Sequence, residues 1–319
     1  VHLAERQAFL DPNSLMERLV PPPRFARARF DNFTCHPRFP SQQAVVKALA
    51  AWPQRRSPAG LYLDGGFGVG KTHLLAATYH SAPSPKAYCS FEELTYLVGL
   101  WGMPRAIDRL SRLRFLFLDE FDLDDPGNTQ LITHLLGASM DRGLRVLTTS
   151  NTPPLAQGQG KFGADQFRQQ IYSLSQRFEV LILEGEDRRV QTATPSLLSQ
   201  EELRSKYQKE RNPASYDTFD TLLGALRKLH PIRYRLLLDG LRVIHIEGLH
   251  AILDQNDALR FVYFLDQLYN HGLTLRASGH LELFPETYRF GAYSAKYGRA
   301  LSRLSELLAS EALGPSLSR

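Results

Sequence analysis

An α/β fold, with a mostly parallel sheet flanked by helices and a further α/β region towards the carboxyl terminus, is predicted by three observations. Gly65-Gly66-Phe67-Gly68-Val69-Gly70-Lys71-Thr72 lies between an apolar run, Gly60-Leu61-Tyr62-Leu63, and a helix-forming stretch, His73 to Thr78. Phe115-Leu116-Phe117-Leu118 is apolar on both faces, as a central parallel strand is when helices cover each side. Strand-like and helix-like stretches alternate along most of the chain, the pattern of βαβ units.

The first 24 residues end in Pro21-Pro22-Pro23, which stiffens the segment against helix formation. Ser41 is positioned to cap a helix from Gln42 to Trp52, and Ser57-Pro58 ends it before the first strand. Pro83-Ser84-Pro85 turns the chain into a short strand at Ala87-Tyr88-Cys89. Ser90 then caps a helix from Phe91, with Glu92 and Glu93 in its first turn. A helix around Ala106 to Leu113 precedes the Phe115 strand. Pro126-Gly127-Asn128 reads as a turn, followed by a helix from Thr129 to Met140 and a strand from Leu144 to Thr149. Residues 153–166 read as a surface loop, and a helix near Asp165 to Gln176 with a strand from Val180 to Leu183 completes the first domain. Beyond a polar stretch, the pattern predicts a helix from Tyr216 to Lys228, a strand from Arg242 to Ile246 and a helix from Asp257 to Asn270. A strand from Leu273 to Arg276 and a final helix from Ser294 to Ser310 follow. Gly143 and Gly272 each join a helix to a strand, as helix-ending glycines do. The expected organisation is an amino-terminal segment with a basic excess (1–56), a phosphate-loop core (57–190), a junction (191–215) and a carboxy-terminal α/β region (216–319).

Bulk composition narrows the class. The 319 residues are 43% hydrophobic and 22% charged, ordinary for one large or two smaller globular domains. The net charge of +5 is uneven: residues 1–60 carry nine Lys/Arg and four Asp/Glu, and the remainder is balanced. Only the amino-terminal region therefore offers a surplus to a nucleic acid, and Arg24, Arg27 and Arg29 are expected on a solvated face or paired with local carboxylates. Cys35 and Cys89 stand far apart, which excludes a disulfide framework or a cysteine metal cluster and fits a reducing compartment. No signal-peptide pattern and no membrane-length apolar run appear, so a cytoplasmic location is expected.

The glycine loop carries the chemistry. Its glycines let backbone N–H groups of residues 65–70 curl inward onto phosphate oxygens, and the following helix N-terminus adds donors and the positive end of its dipole. Lys71 reaches the outer phosphates and the Thr72 hydroxyl can ligate Mg²⁺. The apolar strand ends in Asp119-Glu120, 48 residues after Lys71. At that sheet edge Asp119 can hold Mg²⁺ or its waters, and Glu120 can polarise an attacking water. The next strand ends Thr148-Thr149-Ser150-Asn151, where an amide can orient the lytic water; an Asn turn before Thr152-Pro153-Pro154 is the plain alternative. Transition-state charge calls for an arginine, commonly from a neighbouring subunit. Arg168, Arg177 and the pair Arg188-Arg189 are candidates, with Arg177 first because it follows a helix and precedes the last strand of the core. A metal reading at His245, Glu247 and His250 lacks further ligands at a recognised spacing, so these read as partly buried polar residues.

The phosphate loop, Asp119-Glu120, Asn151 and a downstream arginine, in this order, resemble the AAA+ ATPases. Asp119-Glu120-Phe121 with Asp125, Thr149-Ser150-Asn151-Thr152-Pro153-Pro154, Leu265-Asp266-Gln267-Leu268-Tyr269 and Leu301-Ser302-Arg303-Leu304-Ser305-Glu306 narrow the likeness to the AFG1-like family, over about residues 20–310. A His-Phe-His strand common in that family is here Ala87-Tyr88-Cys89, in a stretch closer to helicase loaders and replication initiator ATPases. Phe30-Asp31-Asn32-Phe33, whose aromatics would flank an adenine ring, is also closer to those proteins. The resemblance implies an ATPase that uses ATP and Mg²⁺ and acts on other proteins, and it admits a homo-oligomer. The family's bacterial member is associated with a division ring built from a tubulin-like protein. The rival reading is a replication loader with DNA as partner.

Overall fold

The computed structural model describes residues 1–8, 15–121, 126–152, 172–186, 195–290 and 293–309. The chain divides into two compact units. One is formed by Asn13–Pro21 and Phe25–Arg188, the other by Val1–Pro12, Pro22–Arg24 and Arg189–Arg319.

In the first unit, α1 (Ser41–Ala51) leads through a short 3₁₀ turn (Trp52–Gln54) into β1 (Gly60–Asp64), and α2 (Lys71–Ser81) follows. Next come β2 (Lys86–Ser90), α3 (Phe91–Trp101), α4 (Met103–Ser111), β3 (Phe115–Asp119), α5 (Pro126–Met140), β4 (Arg145–Ser150) and β5 (Phe178–Ile182). The strands pair in parallel in the order β2-β3-β4-β1-β5. The run at β3 is apolar on both faces because both are covered: Phe115, Leu116, Phe117 and Leu118 are each fully buried. One face packs Leu61, Leu63, Phe115, Phe117 and Leu147 against Val45, Leu49 and Trp52 of the α1 region and Leu74 and Leu75 of α2. On the other face Tyr62, Phe121 and Phe91 meet edge to face.

Several sequence expectations shift here. Ser41 is the first residue of α1 and makes no cap bond; its hydroxyl donates instead to Glu184, at 2.5 Å. Pro126 opens α5, where its missing N–H costs nothing, so the expected turn is the first turn of the helix. Ser90 caps α3 as expected, accepting from Glu93 N at 3.1 Å while its own N–H donates to Glu93 at 2.9 Å. A short 3₁₀ turn also begins at Pro23. The 153–166 loop and most of the helix expected near Asp165 lie outside the described residues; residues 172–175 are helical.

The second unit holds α6 (Gln200–Lys209), β6 (Ala214–Thr218), α7 (Phe219–Arg227), α8 (Tyr234–Leu238), β7 (Val243–Leu249), α9 (Gln255–His271), β8 (Thr274–Gly279) and α10 (Ser294–Ala309). Its three strands are parallel, in the order β6-β7-β8. The helix expected from Tyr216 begins instead at Phe219, because residues 214–218 form a strand and Thr218 caps the helix, accepting from Thr221 N at 3.3 Å. The polar stretch read as a junction contains α6. Arg24 is exposed, but its carboxylate partner is not local: it donates to Glu306 at 2.7 Å, 282 residues away, and lies over the Tyr269 ring at 3.8 Å.

Candidate active site

Strand ends of β1, β3 and β4 converge with the start of α2. The loop from Gly65 leaves β1 and closes at Gly70, whose φ of +105° only a residue without Cβ adopts readily, and α2 starts at Lys71 with no side-chain cap on its first turn. The loop has no room for side chains at two points. A Cβ on Gly65 would sit 2.4 Å from Leu183 O, and one on Gly70 would sit 2.6 Å from the buried Phe33 ring. Phe33 also faces His73, with ring centroids 5.7 Å apart.

Lys71 turns back over the loop. Its Nζ donates to Gly65 O at 2.7 Å, Gly66 O at 2.6 Å and Asn151 Oδ1 at 2.7 Å. These three bonds tie β1, the loop and the end of β4 to one ammonium group. The Thr72 hydroxyl reaches the end of β3, donating to Asp119 Oδ1 at 3.3 Å.

Asp119 gathers donors from α2, β4 and β2. Its Oδ1 also accepts from the Thr149 hydroxyl at 2.5 Å and Glu120 N at 3.1 Å, and its Oδ2 accepts from the Tyr88 hydroxyl at 2.9 Å. Burial, followed by the neighbouring Glu120, raises its carboxyl pKa, and bonds from Thr149, Tyr88 and Thr72 oppose the rise. Burial likewise drives the Tyr88 phenol well up, with Asp119 next, so Tyr88 is a donor here. Asp64, at the end of β1, is raised by burial and lowered by Gly65 N–H and Lys71.

Glu120 leaves the strand with φ +53°, the left-handed region, and its N–H also donates to the Thr149 hydroxyl at 3.1 Å. The turn ends the strand direction at Asp119 and keeps both carboxylates at one edge. Phe121 N then donates to Thr149 O at 2.7 Å and fixes the chain beyond it.

The structure therefore brings together Lys71, Thr72, Asp119, Glu120 and Asn151. It does not bring Arg177 to them. Arg177 precedes β5 at the end where Phe178 pairs with Gly60, and the loop leaves from the other end, past the Asp64–Ile182 pair. The separation along the strands is about 13 Å at ~3.3 Å per residue. Arg177 donates to Asp141 at 2.6 Å. Arg168, Arg188 and Arg189 lie outside the described residues. Tyr88 and Thr149 escaped the sequence reading as site residues; the available signal was a hydroxyl-bearing residue in each of the two strands that flank β3.

The residues fit a nucleotide and a divalent cation. The first turn of α2 after the glycine loop has no side-chain cap, which leaves its N–H groups to a phosphate, and a carboxylate beside a hydroxyl at Asp119 and Thr72 is a hard-oxygen donor set suited to Mg²⁺. No such set forms at the alternative metal position. His245 Nδ1 faces Ser215 O at 3.0 Å and its Nε2 faces Arg276 at 3.3 Å. Glu247 accepts from Arg204 at 2.8 Å and from Tyr216, and His250 meets Asp220 at 3.0 Å. Among the described residues no group of three His, Cys, Asp or Glu is placed to hold a metal, and no helix is long and apolar enough to cross a membrane.

A sequence model of the AFG1-like ATPase family matches residues 6–229 and again residues 203–315. The chain is similar to cell division protein ZapE of Escherichia coli (strain K12), 26% identical over 298 residues that cover 80% of this chain and 79% of that one. Among solved structures it is similar to the DnaC helicase loader, with a TM-score of 0.40 and 19% identity over 50% of this chain and 98% of that one. The replication initiator DnaA bound to AMPPCP and single-stranded DNA gives a TM-score of 0.43 and 12% identity over 88% of this chain and 87% of that one.

Proposed function

This chain belongs to the AFG1-like ATPase family, and from that premise we propose that it hydrolyses ATP at the β1–β3–β4 edge and uses turnover to remodel a protein partner. Nucleotide binding follows from the family. The observation that carries the hydrolytic reading is the joining of α2 to both strand ends, Lys71 to Asn151 and Thr72 to Asp119.

Bound ATP and Mg²⁺ would supply an electrophilic γ-phosphoryl group and positive charge over its oxygens. Lys71, already held over the loop, exchanges carbonyl partners for phosphate oxygens as the stronger acceptors. Thr72 and Asp119 would hold the cation. Glu120 takes a proton from the attacking water, and Asn151 orients that water. Arg177, too far along the sheet to serve its own loop, acts on a neighbouring protomer in a homo-oligomer.

The partner half of the proposal draws on the relative named as a cell division protein. The partner is a component of the division ring, a tubulin-like protein. Glu120→Gln tests both halves. It is expected to bind ATP as the parent does and to release phosphate at least ~100-fold more slowly, the usual size of a lost general base. Parent-like turnover would remove Glu120 from the proposed role. The same variant, held with ATP, should retain a tubulin-like division protein from cell extract; retention of replication proteins alone would favour the loader reading.

A further inference from the structure

The end of the sheet opposite the phosphate loop is strongly basic. Five loops meet there, at residues 52–60, 82–86, 111–115, 140–145 and 176–178, and together they carry eight Lys/Arg and one Asp. They are adjacent through the backbone: Arg114 N donates to Pro85 O at 2.8 Å, Arg145 N to Arg114 O at 3.1 Å and Val146 N to Ala59 O at 3.0 Å. The one carboxylate, Asp141, is occupied by Arg177 at 2.6 Å, and Arg112 pairs with Asp108 one helical turn back at 2.8 Å.

The other cations lack carboxylate partners. The side chains of Arg55, Arg56, Arg114 and Arg142 are exposed and make no hydrogen bond or ion pair among the described residues. Beneath them Arg145, only 8% exposed, donates to Trp52 O at 3.0 Å and Pro58 O at 3.2 Å and stacks on the Trp52 ring. Burial, then the neighbouring Arg114, lowers its pKa, as expected where cations share one field. Lys86 spends its ammonium on the carbonyls of Tyr79 and Ala82.

We propose that this end of the sheet binds the phosphate backbone of a nucleic-acid duplex without reading its sequence. A charged row of this kind fits a regular polyanion. Of its three aromatics, Trp52 and Phe115 are buried and Phe178 is half-buried, so no ring is free to stack an unpaired base. The exposed residues between the arginines include Gln54, Ser57, Pro83, Ser84 and Gly143, which form no apolar anchor of the sort that holds a peptide. The four unpaired arginines sit at the starts of β3, β4 and β1, a spread of about 10 Å at ~4.8 Å per strand. That is close to the ~12 Å width of the major groove, so they can reach phosphates on its two sides. Guanidinium groups suit this role because they bind phosphate oxygens two at a time.

The test is fluorescence anisotropy of a labelled ~20-bp mixed-sequence DNA duplex with the full chain, without nucleotide, from ~50 to ~300 mM KCl. Micromolar-range binding is expected at the lowest salt, with log K falling against log salt at a slope of about −3 to −4 for four phosphate contacts. Changing Arg55, Arg56, Arg114 and Arg142 all to Gln should weaken binding at least ~10-fold and bring the slope towards zero, with ATP turnover kept within about two-fold. The double variants Arg55→Gln with Arg56→Gln, and Arg114→Gln with Arg142→Gln, should each remove about half the slope, which serves if the quadruple variant fails to fold. No binding at low salt, or an unchanged slope in the double variants, overturns the proposal. So does tighter binding of a single strand of equal length, or of polyglutamate, which would assign the face to an acidic protein segment. Turnover is read separately, so failure here leaves the proposed hydrolysis standing.

Discussion

Asp119 shows how much of the candidate site depends on groups other than the motif residues. Two hydroxyls and one backbone N–H donate to its Oδ1, and Tyr88 donates to Oδ2. Such bonds fix the carboxylate's rotation, and outer partners of metal ligands commonly change metal affinity by about 10- to 100-fold. Tyr88→Phe keeps the ring, with its edge contact to Tyr79, and deletes only the donor. Its affinity for ATP, followed with a fluorescent analogue, should therefore drop ~10-fold in Mg²⁺ and stay near the parent's in EDTA. An equal loss in both would assign Tyr88 to packing alone. Lys71, Thr72, Asp119, Glu120 and Asn151 were legible in the sequence because strand–loop–helix order and an apolar strand ending in acids encode position directly. Tyr88 and Thr149 were not, since a hydroxyl in a strand is also an ordinary β-former and its partner lies on another strand. The left-handed backbone of Glu120, a strain of about 1–2 kcal/mol for a side-chain-bearing residue, leaves no sequence trace either.

Elements followed the sequence where local signals agreed and departed from it where distant partners decided. β1, β2 and β3 appear within a residue of expectation, α3 starts at Phe91 as expected, and α2 extends two residues before and three beyond the expected stretch, because caps, prolines and apolar runs mark their ends. β6 was hidden. Its Asp217 is buried yet polar, and it is satisfied by Leu3 N at 3.0 Å and Ala4 N at 3.4 Å, donors 214 and 213 positions away. Two sequence stretches noted for family likeness prove to be one contact: Asp266 of α9 accepts from Arg303, and from Arg299 at 3.3 Å, of α10. α6 ends in a similar long-range clasp. Glu210 accepts from Asn212 N at 3.0 Å and from Arg276 of β8 at 2.6 Å. Chiefly through the Asn212 N–H, and against burial, this pulls its pKa from 4.5 to about 2. A depressed carboxyl contributes stability above its unfolded pKa and loses it as pH falls through the folded one. Glu210→Gln should thus melt below the parent above about pH 4.5, and the gap should close towards about pH 2. A pH-independent gap in melting temperature would mean that the ionised form contributes nothing.

For the whole molecule, the position of Arg177 turns the hydrolytic proposal into one about assembly. If it serves a neighbour's site, Arg177→Ala and Lys71→Ala, each inactive alone, should regain part of the parent's turnover when mixed, because a mixed pair contains one loop with Lys71 facing one intact arginine. Failure to regain turnover at any mixing ratio would exclude that arrangement. Periodicity reports neighbours along the chain, whereas the second unit draws residues 3 and 4 to its strand β6. That pairing has a consequence during synthesis. Leu3 leaves the ribosome ahead of Asp217, which follows 214 residues later, a delay of roughly 10–40 s at ~5–20 residues per second. All five strands of the phosphate-loop sheet are made in the interval, since β5 ends at Ile182. The nucleotide-handling half can thus be assembled on the nascent chain while Leu3 and Ala4 still lack their carboxylate, and the other half is sealed only when β6 has been made.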